Sequence, residues 1–79
     1  MIKLKNIVKD DNIISCDIFP EDSVSCGSLF YDIVENSVKS YELPAGYEWC
    51  KKHIVHAKNA LREMVDSNQI QKEKLIMWI

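Results

Sequence analysis

The side chains best suited to chemistry in this sequence form the pattern Cys50-x-x-His53-x-x-His56. Thiolate and imidazole are both zinc ligands, and residues one helical turn apart lie on the same side of a helix. Cys16 or Cys26 could complete the ligand set, although the chain has no C-x-x-C pair. Two interpretations stay open. Cys50 and His53 form a metal site, or Cys50 packs as a small apolar residue beside a histidine that bonds a local acceptor.

The same two residues could instead act as a nucleophile and its base. Backbone amides at the start of a helix favour a thiolate, and His53 follows Cys50 by one turn. Burial opposes this, because desolvation raises the pKa of a thiol. The sequence offers no recognisable oxyanion donor, and with Gly27 and Gly46 as its only glycines it has no glycine loop for a nucleotide. We therefore predict no cofactor and favour a protein that is not an enzyme.

A third possibility is a basic stripe on the segment that contains these residues. At 100° per residue, Lys51, Lys58 and Arg62 fall on one line along the side away from the apolar stripe. Such a line could contact the phosphates of a nucleic acid, which dominate affinity. The whole chain carries a net charge of -2 and has no RNA motif with interleaved aromatic residues. A solvated helix face is therefore the preferred interpretation, with nucleic-acid binding as the alternative.

Carboxylates cluster in the first half of the chain without a recognised cation-binding spacing. Calcium or magnesium would need several of them to converge, and no known loop motif fits. We expect them to serve solubility, or to face a basic partner or the basic helix of the chain itself. The residues concerned are Asp17, Glu21, Asp22, Asp32 and Glu35.

The elements that must position these residues follow from hydrophobic periodicity. Runs of β-branched and alternating residues, separated by turn residues, predict four strands before Gly46. A period near 3.6 then predicts one long amphipathic helix, which ends near Asn68 because Asn tolerates the left-handed conformation. A short apolar run predicts a closing strand. The predicted strands are 2–8, 13–19, 28–34, 37–43 and 75–79, and the predicted helix is 47–67.

These elements predict one α+β domain over residues 1–79, in the order β-β-β-β-α-β. The apolar stripe of the helix would cover one face of a mostly antiparallel sheet. Its members are Cys50, Ile54, Ala57, Leu61, Met64 and Val65. One helix is too little to cover Phe30, Val34 and every other apolar sheet position, so the second face is expected to be open.

Opposed charges accompany the expected open face. Residues 1–10 have a net charge of +2, residues 11–48 of -7, and residues 49–79 of +3. Tyr and Trp are the favoured anchors of protein interfaces, although packing in the core is the preferred interpretation of those in this chain. The leading hypothesis is a non-enzymatic protein-interaction module, either a homodimer or a domain that completes a partner protein.

Composition excludes several other classes. An apolar content of 47% with little net charge argues against intrinsic disorder. The longest apolar run, residues 75–79, is far shorter than the roughly 20 residues that span a bilayer. No secretory pattern follows Met1, and three cysteines make an odd number. We therefore expect a cytoplasmic protein with free thiols and no membrane contact.

Three segments also carry a resemblance. They are the run from Leu43 to Cys50 (LPAGYEWC), the pattern His53-x-x-His56-Ala57-Lys58, and Met77-Trp78. In these segments the chain resembles a group of small uncharacterised proteins from Gram-positive anaerobes and their mobile elements. The resemblance implies a bacterial cytoplasmic accessory protein and carries over no activity.

Overall fold

The computed structural model describes residues 1–78, which form a five-stranded antiparallel sheet and a helix on one side of it. The elements are β1 (Ile2–Asp10), β2 (Ile13–Pro20), β3 (Gly27–Asp32), β4 (Ser37–Glu42), α1 (Lys51–Ser67) and β5 (Lys74–Ile76). Across the sheet the order is β4-β3-β2-β1-β5. The predicted α+β class and the predicted order of elements are confirmed.

The core lies between the sheet and α1. Strand β2 shows why, because Ile14, Cys16 and Ile18 are buried while the residues between them face the other way. Helix α1 contributes the predicted stripe from Ile54 onward to the same layer, with Val65 partly buried at its margin. Cys50, the first predicted member of the stripe, is buried but precedes α1 and lies outside this cluster. The buried residues from the sheet are Ile2, Leu4, Ile7, Ile14, Cys16, Ile18, Leu29 and Tyr31, and those from α1 are Ile54, Ala57, Leu61 and Met64.

Strand β1 contains a bulge that simple alternation does not predict. Asn6 adopts a left-handed φ of 53°, and the pairing with β2 shifts between Lys5 and Val8. The extra residue changes which face the later side chains occupy. Ile7 therefore enters the core after Ile2 and Leu4, and Val8 turns to the opposite face.

Strand β3 ends two residues earlier than predicted. The Asp32 carboxylate accepts a hydrogen bond from the backbone N–H of Glu35 at 2.9 Å, which favours a turn over residues 33–36. Val34 consequently lies in this turn and not on a sheet face. Phe30 lies on the sheet face opposite α1, where it pairs with Ser15 and Ser40, so it is one of the apolar positions that the helix does not cover.

Helix α1 begins at Lys51, so the predicted start at residue 47 is wrong. Tyr47 N–H bonds the Pro44 carbonyl at 3.0 Å and Cys50 N–H bonds the Tyr47 carbonyl at 3.0 Å, which makes two successive turns. Gly46 within them has a φ of 87°, which a helix cannot contain. The predicted stop at Asn68 is confirmed, with a left-handed φ of 55°.

Strand β5 forms at the predicted place and is shorter than predicted. It pairs antiparallel with β1 from Lys74 to Ile76, after which Met77 and Trp78 leave the ladder. The final residue of the predicted strand, Ile79, lies outside the described residues. This return along β1 brings Trp78 back to the first turns of α1.

Candidate functional site

Cys50 lies at the junction between the turns and α1, as the residue that caps the helix. It is fully buried, and its side chain makes no capping hydrogen bond. Burial and then the charge of Glu21 raise the pKa of this thiol. Because both effects disfavour a thiolate, the geometry supports the packing interpretation of Cys50 over the nucleophile interpretation.

His53 is also buried, and its partner is remote in sequence. Its Nε2 atom lies 2.7 Å from Oε2 of Glu21, which also receives the amino group of Met1 at 2.5 Å. Nδ1 of His53 is buried without a hydrogen-bond partner. The predicted local acceptor is therefore wrong, because the acceptor is a carboxylate in the β2–β3 loop, 32 residues away.

His56 contacts an aromatic ring and brings no third ligand to Cys50 and His53. Its ring stacks on Trp78 with centroids 3.9 Å apart, and Trp78 also meets the ring of His53 at 4.8 Å. Within residues 1–78, no three His, Cys, Asp or Glu side chains are arranged to hold a metal ion. At this end of the molecule, aromatic contacts and hydrogen bonds thus join α1, the β2–β3 loop and Trp78, and we call this set of contacts the closure.

Glu21 makes this closure dependent on pH. Its hydrogen bonds from the Met1 amino group and from His53 hold the pKa of this carboxyl below its ordinary value. Stability from such a group is present above the unfolded pKa, about 4.3, and is lost as the pH falls through the folded pKa. The closure should therefore weaken in acid.

Replacing Glu21 by Gln is expected to lower the urea midpoint at pH 7, and the difference from the parent protein should shrink as the pH falls below about 4.3 and through the lowered folded pKa of Glu21. Circular dichroism during urea titration at several pH values measures both midpoints. The chain should carry no N-terminal tag, which would displace the Met1 amino group from Glu21. Glu48→Gln, at an exposed carboxylate, is the matched control and should leave the midpoint unchanged. A Glu21→Gln difference that persists undiminished in acid contradicts the assignment.

The predicted basic stripe is divided between two roles. Lys51 is exposed and Lys58 partly exposed, while the partly exposed Arg62 makes hydrogen bonds within the protein. Its guanidinium bonds both carboxylate oxygens of Asp66 at 3.1 Å and the hydroxyl of Tyr31 at 3.3 Å. Arg62 is consequently committed to fixing α1 over β3, and the nucleic-acid alternative retains two lysines of its original three residues.

The predicted acidic group does not converge on one point. Asp17 accepts a hydrogen bond from Asn6 at 2.7 Å, and Asp22 accepts one from the Tyr47 hydroxyl at 2.7 Å. The hydrogen bond to Asp22 also raises the pKa of Tyr47. With Glu21 bound to His53, most of these carboxylates tie loops and strands together and leave no shared cation cage.

The sheet face opposite α1 has no covering layer among residues 1–78, and we call it the open face. Strand pairing places five large apolar side chains on it, although Ser, Lys and Asp lie between them. Phe30 is 41% exposed, Leu75 50% and Val8 55%, while two others are partly buried. The five are Val8, Ile13, Phe19, Phe30 and Leu75. Ile13 and Phe30 line a shallow depression of about 400 Å³.

Charge is unevenly distributed across the open face. The basic residues Lys3 and Lys5 lie on β1, and Lys5 sits 5.4 Å from the ring centroid of Phe19. Asp17, Asp32 and Glu42 lie on β2, β3 and β4, toward the other edge of the sheet. Asp10 at the end of β1 and Lys39 on β4 are the exceptions. The charge asymmetry of the sequence thus becomes a polarity from one sheet edge to the other.

Sequence reasoning missed two features of these surfaces. The bulge at Asn6 sends Val8 to the open face, and the only signal for it is an Asn that tolerates a positive φ. The bond from Glu21 to His53 depends on the loop returning to α1, and no local spacing encodes it. Both features come from tertiary geometry.

Comparisons with known proteins add no relative. No family model matches the sequence, and no curated protein or solved structure is similar to it at a significant level. In the described part of the chain, no helix has both the length and the apolar character needed to cross a bilayer.

Proposed function

We propose that this protein is a non-enzymatic interaction module that binds a protein chain through its open face. The observation that carries the proposal is the group of five apolar side chains on a sheet face that no layer of residues 1–78 covers. A half-exposed aromatic ring beside aliphatic residues gains free energy when a second apolar surface removes it from water. Polar neighbours at the margin are typical of the rim of such an interface.

The pair Cys50 and His53, the other candidate site, supports a function at the open face. Cys50 and His53 are buried and committed to internal contacts, so a substrate has no access to the thiol. The thiol of Cys16 is likewise buried, and burial raises its pKa to about 12. With these two thiols inaccessible, we take the open face as the surface that binds the partner. Three free thiols fit the proposed setting, a reducing compartment such as the cytoplasm.

Hydroxyl-radical footprinting tests the proposal even when the identity of the partner is unknown. Oxidation of Phe30 should fall several-fold when the protein is in concentrated lysate of its source or concentrated by itself, relative to dilute purified protein. Trp49 and Met77 are exposed residues outside the five apolar positions of the open face and serve as internal controls. Because added protein consumes radicals, the informative quantity is the oxidation of Phe30 relative to that of Trp49 and Met77, and this ratio should fall several-fold. Phe30 that remains fully reactive in both settings contradicts the proposal.

A further inference from the structure

Residues paired side by side across the strands form rows on the open face, and the order of charges along one row indicates which partner covers this face. Pairing across the sheet aligns Lys5, Asp17, Ser28 and Glu42 on β1, β2, β3 and β4. The row is therefore basic at one end and acidic in the middle and at the other end. The next row aligns Val8, Ser15, Phe30 and Ser40, so apolar side chains flank its centre on both sides.

We propose that the chain covering the open face is a second copy of this protein, related to the first by a two-fold axis that runs along β2. The inference rests on the proposed function and names its partner. A two-fold axis between two packed sheets can run along the strands or across them. An axis along the strands places the β1 side of each sheet over the β3–β4 side of the other copy.

This arrangement matches the charges of the Lys5 row. Lys5 then lies over Ser28 of the second copy, between the Asp17 and Glu42 carboxylates of that copy. Asp17 meets its own equivalent near the axis, and the two Lys5 ammonium groups flank that pair. Each copy thus offers its basic edge to the acidic edge of the other, which is the complementarity that orients protein association.

The same axis matches the apolar residues. Phe30 of one copy lies over Val8 of the other, since the two residues occupy equivalent distances on either side of β2. Ile13 and Phe19, both on β2, lie near the axis and meet their own equivalents. The depression beside Phe30 would receive Val8 of the second copy. Stacked sheets lie about 10 Å apart, so such opposed side chains come into contact.

An axis across the strands fits less well. It would place Lys5 over Val8 of the second copy and Phe30 over Ser28, which buries a charge against an aliphatic side chain and leaves the aromatic ring opposite a hydroxyl. It gains contacts of Lys3 with Asp10 and of Phe19 with Ile13, whereas the axis along β2 places Asp10 over Asp32 of the second copy. We prefer the axis along β2 because only there does Lys5 meet carboxylates of the second copy, those of Asp17 and Glu42. Cross-linking at Ile13 separates the two axes, because Ile13 meets itself only when the axis runs along β2.

The size of the face sets the expected affinity. Five strands at about 4.8 Å spacing and eight residues of β2 at about 3.4 Å each give a face of roughly 650 Å². A standard stable interface buries about 800 Å² per partner, so the dimer falls toward the weaker class. Because β3, β4 and β5 are shorter than β2, the true area is smaller, and we expect a weak dimer that forms at micromolar concentration or above.

The charge arrangement is tested with two single variants, Lys5→Glu and Glu42→Lys. Each alone would place like charges together at both contacts of its homodimer, and sedimentation should show at least about tenfold weaker association. An equimolar mixture of the two restores Glu–Lys pairs at both contacts with position 42, so heterodimers should form more tightly than either variant homodimer. Their affinity should stay below that of the parent, because the carboxylate introduced by Lys5→Glu still faces Asp17. Lys51→Glu, on the outer face of α1, is the matched control and should dimerise normally.

The axis is tested by cross-linking Ile13→Cys in a Cys26→Ser background, which removes the exposed native thiol. A short bismaleimide should give covalent dimers, because the two introduced thiols face each other across the axis. If the parental protein dimerises but mixing the two charge variants does not strengthen association, the proposed axis is wrong. It is also wrong if the Ile13→Cys protein dimerises without forming this cross-link. Parental protein that stays monomeric at high micromolar concentration overturns the second copy as partner. Protection of Phe30 in lysate alone would then still support the proposed function.

Discussion

Replacing Gly27 by Ala is expected to lower the free energy of unfolding by about 3 kcal/mol or more, a large part of the stability of a domain this size. A Cβ atom at this position would lie 1.9 Å from the carbonyl oxygen of Glu42 and 3.1 Å from Cα of Leu43. Both are backbone atoms, so no side-chain rotation relieves the contact. The start of β3 would have to separate from the end of β4.

Gly46→Ala is the matched control for this prediction. Gly46 has a φ of 87°, and a Cβ there meets nothing within 4 Å. The expected cost is the conformational strain alone, about 1–2 kcal/mol. Urea unfolding followed by circular dichroism compares the two variants. If Gly27→Ala costs no more than Gly46→Ala, β3 and β4 do not approach as closely as described.

Gly27 also connects stability to the proposed interface. The same close approach holds Glu42 beside Ser28, at the acidic end of the Lys5 row. A Gly27→Ala protein that still folds would carry a displaced β4. Its dimer should therefore be weaker, because Glu42, which the added Cβ displaces, would move away from Lys5 of the second copy.

The sequence predicts the layers of this fold because alternation and helical period depend on local chemistry. Ile14, Cys16 and Ile18 share a face in any regular strand, and Leu61 follows Ile54 and Ala57 on any helix. The helix start was harder to predict. The apolar and aromatic pattern continues back to Tyr47. The turns that end at Cys50 depend on backbone hydrogen bonds, which hydrophobic periodicity does not predict.

The candidate site was less predictable than the fold. The spacing of Cys50 and His53 suits a ligand pair, but their chemistry is decided by burial and by Glu21, which arrives from the β2–β3 loop. Arg62 had the spacing of a phosphate ligand, and its partners Tyr31 and Asp66 emerge only when α1 lies over the sheet. The open face was predictable in principle, since one helix cannot cover both sides of a sheet, but the position of Val8 was not.

The adjacent residues Ile13 and Ile14 allow folding and association to be separated with one kind of substitution. Ile14→Lys is expected to abolish folding. Ile14 is fully buried under α1, and an unpaired ammonium there costs several kcal/mol, comparable with the whole stability of such a domain. Circular dichroism should show loss of helix and sheet together.

Ile13→Lys should leave a folded protein that no longer dimerises. Ile13 lies on the open face between Asp10 and Asp32, which would stabilise an added ammonium. In the proposed dimer, however, the apolar contact between the two Ile13 side chains is lost, and two ammonium groups would have to leave water near the axis. Sedimentation should therefore show a monomer whose circular dichroism matches that of the parent. Because consecutive strand residues point to opposite faces, the pair assigns one face to folding and the other to association. A folded Ile14→Lys protein would contradict the first assignment, and a fully dimeric Ile13→Lys protein would contradict the second.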